Sequence, residues 1–207
     1  MLRQTARLAV SERAAEPTDG ELCAALAAGE ALAAEAVYDR VEDAVDAVLL
    51  RLLGPGDADR DDLTQVAIER VMTTIISGRF SQNCSLRSWA SVITQHLAVD
   101  TIRARARERR LFDRSITKQP LDLVAAANPT PERAADNRRR IERLVGALAN
   151  VNQRRAEAVI LHDILGHDLA EMARLTRISV SAAQSRLVRG RREVLDWIRT
   201  KEFDGYA

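Results

Sequence analysis

No segment of the chain alternates apolar and polar residues in the two-residue period of a half-buried strand. Apolar residues recur instead every three or four positions through most of its length. That period admits one fold class, all-α. Of the 207 residues 46% are hydrophobic but only 3% aromatic. Alanine and branched aliphatics must therefore fill the core, and a chain rich in alanine and arginine favours helix.

The pattern divides into two small helical domains and a linker. Residues 1–18 mix small and charged residues without period and read as a flexible leader. A first domain spans 19–112. Its helical pattern starts near Asp19 with Leu22, Ala25 and Leu26, resumes from Leu32 to Leu53, and breaks at Gly54-Pro55-Gly56. Asp62 reads as an N-cap with Gln65 as its capping-box partner. Beyond it Leu63, Ala67, Ile68, Val71, Met72 and Ile75 make one apolar face, with Asp62, Gln65 and Glu69 on the other. A turn at Gly78 leads to a helix whose expected buried stripe is Leu86, Trp89, Ile93 and Leu97.

Residues 113–137 carry Pro120, Pro129 and Pro131 and no sustained helical period, the mark of a flexible linker. Its stretch from Gln119 to Asn137 could extend over roughly 60 Å at about 3.3 Å per residue. The second domain covers 138–199, followed by a tail of 200–207. It has stripes at Ile141, Leu144, Val145 and Leu148, and at Val159, Ile160 and Ile164. Gly166 then breaks the chain, and Asp168 caps a short helix with Glu171 as its capping-box partner. Leu169, Met172, Ala173 and Leu175 face inward. After a turn at Arg177-Ile178-Ser179 comes a longer helix with an inner stripe of Val180, Ala183, Leu187, Val194 and Ile198. Short helix, tight turn and longer helix form the helix-turn-helix plan, whose second helix enters the major groove.

A net charge of +1 names no partner, but its distribution does more. From Glu12 to Asp62 there are 14 acidic residues against 4 basic ones, while arginine dominates Arg79 to Lys118 and Arg133 to Arg199. Two basic blocks flanking a linker suit a protein that touches nucleic acid at two places. Cys23 and Cys84 are the only cysteines, too few for a disulfide framework or a cysteine-rich zinc site. His162-Asp163 and His167-Asp168 are interrupted by Gly166 and do not set both imidazoles on one helical face, so no metal is expected. No Gly-rich phosphate loop, nucleophile elbow or cysteine-histidine pair suggests an enzyme or a cofactor. The N-terminus lacks the apolar core of a signal peptide and no uncharged run reaches membrane-spanning length. A cytoplasmic protein without membrane insertion is expected.

Between Asp61 and Arg110 the charge inverts along the helical pattern. The acidic run Asp57, Asp59, Asp61, Asp62, Leu63, Gln65 gives way to Ser85 to Ile93 around Trp89, then to Asp100, Arg103, Arg105, Arg107, Arg109 and Arg110. This order resembles region 2 of the extracytoplasmic-function sigma factors of bacterial RNA polymerase, with its acid-acid-Leu-x-Gln, Trp, Ile-Ala-x-Asn and Asp-x-x-Arg. The block Gly166 to Arg191 resembles their region 4. It has Glu171, Met172 and Ala173 where the family has Glu-Ile-Ala, and Ser185, Arg186, Leu187, Arg189 and Arg191 in the following helix. Departures fall at Val66 for Glu, His96 for Asn, Ala156 for Arg, Arg177 for the turn Gly, and Ala182 and Ala183 for Thr-Val. They leave the promoter preference open.

The resemblance implies a transcription initiation factor. Asp61, Asp62, Gln65 and Glu69 would meet the β′ clamp helices of core RNA polymerase, and the second domain would meet the β flap. Arg87, Trp89, Gln95, His96, Asp100, Thr101, Arg103, Arg105 and Arg107 would hold the melted −10 strand of promoter DNA. Ser181, Ala182, Gln184, Ser185, Arg186, Arg189 and Arg192 would sit at the −35 element. An anti-sigma factor is a further implied partner. Plainer readings stand beside these: a solvated acidic helix face, Trp89 as a core residue, arginines that end a helix favourably, and His96 packed beside Leu97 and Asp100. At the level of the whole chain the rivals are a helix-turn-helix regulator that ignores polymerase and a sigma-like decoy.

Overall fold

The computed structural model describes residues 16–112, 140 and 143–204. The linker expected over 113–137, most of the leader, the end of the tail and Ile141 lie outside them, as do the side chains of Arg109 and Arg110. Every regular element among the described residues is helical. A first group contains α1 (Asp19–Ala27), α2 (Ala31–Leu53), α3 (Arg60–Ile76) and α4 (Leu86–Phe112). A second contains α5 (143–150), α6 (Gln153–Val159) running into a π-helical turn (Ile160–Ile164), α7 (Leu169–Thr176) and α8 (Val180–Asp204).

In the first group α2 is the central strut. Val37, Val41, Val45, Val48, Leu49 and Leu52 recur at threes and fours and are buried, giving α2 one continuous apolar face. Ala67, Ile68, Val71 and Ile75 of α3, and Leu86, Ala90, Leu97, Ala98 and Ile102 of α4, join the same core. Asp19 staples three helices. Its Oδ2 accepts from the Leu86 backbone N–H at 2.7 Å, one of the donors a helix start leaves unpaired, and its Oδ1 accepts from Arg40 Nη1 at 3.0 Å.

Two expectations for this group need correction. The buried stripe of α4 keeps Leu86 and Leu97, but Trp89 and Ile93 are only half-buried, and Ala90, Ala98 and Ile102 fill the stripe instead. Small alanines let α4 lie close to α2. Nor does α3 start at Asp62: its N-cap is Asp59, whose carbonyl accepts from the Leu63 N–H at 2.9 Å. Asp57 Oδ1 takes the Asp59 N–H at 3.1 Å, which fixes the chain for an earlier helix start and leaves Asp62 inside the first turn.

The second group follows the expected plan more closely. Gly166 has φ +81°, and Asp168 and Glu171 form the capping box of α7. The turn into α8 passes through Arg177 in the left-handed region (φ 54°, ψ 47°), a conformation glycine adopts at less cost. Met172 and Ala173 of α7 and Ala183, Leu187 and Val194 of α8 are buried. Val180 departs from expectation: it is 48% exposed, standing at the first position of α8 before the buried face begins at Ala183.

Gly190 has a packing reason. A Cβ there would lie 2.6 Å from the Arg155 carbonyl oxygen and 2.9 Å from Val159 Cγ2, so α6 and α8 touch backbone to backbone. Gly190→Ala is expected to destabilise the protein by about 1–2 kcal/mol. Overpacking costs about 1–3 kcal/mol and the better helix propensity of alanine returns up to about 1 kcal/mol. Urea unfolding of the two proteins checks this, and an alanine variant as stable as the parent would mean that α6 shifts freely.

Candidate nucleic-acid interface

The packing of α3 decides what its other side shows. With Ala67, Ile68, Val71 and Ile75 turned to the core, Asp61, Asp62, Gln65 and Glu69 all stand exposed, with Val66 among them. The result is an acidic stripe about two turns long, open to a protein partner.

The residues of α4 divide into three sets. Arg87, Asp100 and Arg107 are exposed, Arg87 lying 3.8 Å from Asp43. Trp89 is half-buried with its ring against Phe80, centroids 4.7 Å apart and planes tilted by 40°. Thr101 turns its hydroxyl to the Leu97 carbonyl at 3.0 Å. The remaining four are engaged by other parts of the chain. Gln95 is 0% exposed and donates to the Glu157 backbone carbonyl at 3.4 Å, so in this arrangement it presents no group at the surface. His96 Nε2 donates to Glu157 Oε1 at 2.7 Å, and Arg103 donates to the Val151 carbonyl at 3.2 Å.

Arg105 forks onto two carboxylates, with Nη2 2.9 Å from Asp57 Oδ1 and further bonds to Asp57 Oδ2 and Asp59. The guanidinium holds the Asp57 carboxyl below its usual range and is itself held more firmly protonated. The expected place of Arg105 beside a phosphate is therefore taken by the loop that precedes α3.

On α8 the buried line of Ala183 and Leu187 turns the opposite side outward. Ser181, Gln184, Arg189 and Arg192 are exposed, and Ala182, Ser185 and Arg186 are half-exposed. Ser179 starts this helix by accepting from the Ala182 N–H at 3.2 Å. Other cations are spoken for. Arg191 Nε lies 2.9 Å from Asp163 Oδ2, lowering the Asp163 pKa, and Arg155 pairs with Glu193. His162 donates to Asp163 at 2.9 Å while His167 lies 3.5 Å from Glu171, so the two imidazoles have separate partners.

The roles of Glu157, Asp57 and Asp59 as partners of α4 had no local signal. Each meets its partner across 46 to 61 residues of chain.

Two family descriptions match this chain: Sigma-70 region 2 over residues 37–108, and Sigma-70, region 4 over residues 141–194. Together they take in more than half of it. The chain belongs to the sigma-70 family. The region 4 form that it matches is typical of the extracytoplasmic-function sigma factors. As a sigma factor it is a transcription initiation factor and not an enzyme. The helix-turn-helix regulator that ignores polymerase falls away, because region 2 is present as well.

Solved structures similar to this chain include the following two. One is the sigma factor RpoE in complex with the anti-sigma factor NepR from Bartonella quintana, at 18% identity over 78% of this chain and 94% of that one, TM-score 0.47. The other is CnrH in complex with the cytosolic domain of CnrY, at 19% identity over 88% of this chain and 97% of that one, TM-score 0.50. The likeness to CnrH is one of fold. In this sigma factor region 2 contains α3 and most of α4, and region 4 contains the helix-turn-helix of α7 and α8. No helix among the described residues is long and apolar enough to cross a membrane.

Proposed function

We propose that the stripe of Asp61, Asp62, Gln65 and Glu69 docks this sigma factor on the β′ clamp helices of core RNA polymerase, and that α4 and α8 read the two promoter elements. The functional units are residues 19–112 and 138–199, joined by the linker 113–137. The melted −10 strand is held along α4 by Trp89, His96, Asp100 and Thr101, with Arg87, Arg103 and Arg107 toward the backbone. Unstacked bases gain from an aromatic surface and from polar groups aimed at their edges. Ser181, Ala182, Gln184, Ser185 and Arg186 enter the −35 major groove, Arg189 and Arg192 meet phosphates, and region 4 rests on the β flap. Gln95, His96, Arg103 and Arg105 contact DNA only once their present bonds within the chain are released. An anti-sigma factor is proposed as a further partner, as the match to the region 4 form of the extracytoplasmic-function sigma factors suggests, and the site of action is the cytoplasm.

The observation that supports this best is the exposed row of Ser181, Gln184, Arg189 and Arg192, opposite the buried Ala183 and Leu187. Holoenzyme binding to promoter DNA tests it. Gln184→Ala is expected to relax base preference in the −35 element by about 1–3 kcal/mol at one position. Arg189→Ala should weaken all sequences alike and make the salt slope shallower by roughly one unit. Unchanged preference in the first and an unchanged slope in the second would remove α8 from the −35 element.

A further inference from the structure

Region 4 lies across the face of α4 assigned above to the −10 strand. Gln95, His96 and Arg103 of α4 all bond to Glu157 or to the Val151 carbonyl, which belong to α6 and the turn before it. Nearer the start of α4, Arg177 donates to Ser81 Oγ at 3.1 Å, and Cys84, Ser85 and Ser88 share a cleft with Glu171, Arg174 and Leu175. A base cannot reach Gln95, or the bonded edge of His96, while α6 is there. These bonds are polar, and the contact leaves the buried Gln95 Oε1 without a hydrogen-bond partner, a cost that favours separation.

One bond in this contact carries ionisable groups on both sides. We infer that His96 and Glu157 form an ionic latch that keeps region 4 closed over the −10-reading face of α4 in the free protein, and that loading onto promoter DNA requires it to open. The inference rests on the assignment of that face to the −10 strand. His96 stands where the family pattern has Asn, which cannot carry the charge, so the latch is a property of this chain. The imidazole is 43% exposed, so protons exchange with it readily, while Glu157 is held at 14%.

The charged groups bearing on His96 are both acidic: Glu157 from α6 and Asp100 one turn further along α4. Their attraction outweighs burial and raises the imidazole pKa. Of the other charges on α6, Arg154 is exposed and Arg155 pairs with Glu193 of α8. Glu171 and Arg174 of α7 stand by Cys84, Ser85 and Ser88, about two to three turns before His96. Protonation is thus favoured in the closed form over the open one. The latch is fully made below the open-form pKa and is lost as pH rises through the closed-form pKa.

Small-angle X-ray scattering of the free full-length protein from about pH 5 to about pH 8 tests the latch. The wild type is expected to expand as pH rises. Glu157→Gln and His96→Asn are each expected to lose that step, Glu157→Gln staying expanded throughout, and the double variant should add nothing to Glu157→Gln. Far-UV circular dichroism establishes that each variant keeps its helices. If Glu157→Gln does not fold, His96→Asn decides alone, and a retained pH step in it overturns the latch. A wild-type radius and pH step in folded Glu157→Gln overturn it equally. With polymerase present, Glu157→Gln should open promoters several-fold faster near neutral pH, and no gain in rate would refute the gating role. Failure of the −10 assignment reads out separately, as an unchanged base preference of the His96→Asn holoenzyme.

Discussion

Reversing Asp62 and Glu69 to lysine together is expected to lower affinity for core polymerase on the order of 30- to 100-fold, which corresponds to roughly 2–3 kcal/mol. Both side chains are exposed on α3, whose buried face is the opposite one, so the change leaves the core untouched. The two sites lie seven residues apart, about 10 Å along the helix at about 1.5 Å per residue, so their effects should add. Opposite charge at an interface speeds encounter and is screened by salt, so the loss should be larger at low ionic strength. Competition binding to core polymerase against the wild type measures it. Equal affinity in the double variant, with helicity intact, would remove this stripe from the docking surface.

Arg105→Ala is expected to cost about 2–3 kcal/mol of folding stability. The Asp57 side chain is 6% exposed and Arg105 23%, so removing the guanidinium strands a nearly buried carboxylate. Breaking a buried pair costs about 3–5 kcal/mol, and this one, partly open to water, falls at or below the lower end. Exposed Arg107 supplies the contrast, and Arg107→Ala should stay within about 0.5 kcal/mol of the parent. The pH dependence follows from the lowered Asp57 pKa. Its contribution is complete above the ordinary carboxylate value and is lost as pH falls through the folded-state value. Arg105→Ala should therefore lose part of the acid limb of the stability profile. Urea unfolding at neutral and acidic pH tests both statements, and parental stability in Arg105→Ala would mean that this arginine is available to DNA after all.

Arg105 also shows where sequence reading stops. Five arginines among eight positions suggest a phosphate-binding edge, yet which of them faces solvent depends on Asp57 and Asp59, 46 to 48 residues earlier in the chain. Gln95 and His96 are polar residues at helical spacing, legible as a polar face, but Glu157 arrives from beyond the linker. Elements governed by near neighbours were readable. The Asp168–Glu171 capping box and the breaks at Gly54 and Gly166 depend on residues within a turn. The start of α3 was displaced by Asp57, which ties the chain before the helix, and Gly190 shows its purpose only when α6 lies against α8. Among the proposed contact residues, the stripe of α3 and the outer row of α8 were the most legible. Their exposure follows from helical period alone once the buried face is known.

The most direct measurement is run-off transcription by core polymerase on DNA randomised over the two promoter blocks, followed by sequencing of the templates that yield transcripts. With this sigma factor added, initiation should occur at a fixed distance from an enriched pair of sequence blocks. The Asp62 and Glu69 double reversal should weaken it in step with the lost affinity for core polymerase, and Gln184→Ala should alter only the upstream block. Tight binding to core polymerase or to DNA with no transcript above the level of core polymerase alone would contradict the account, and would make the chain a sigma-like decoy.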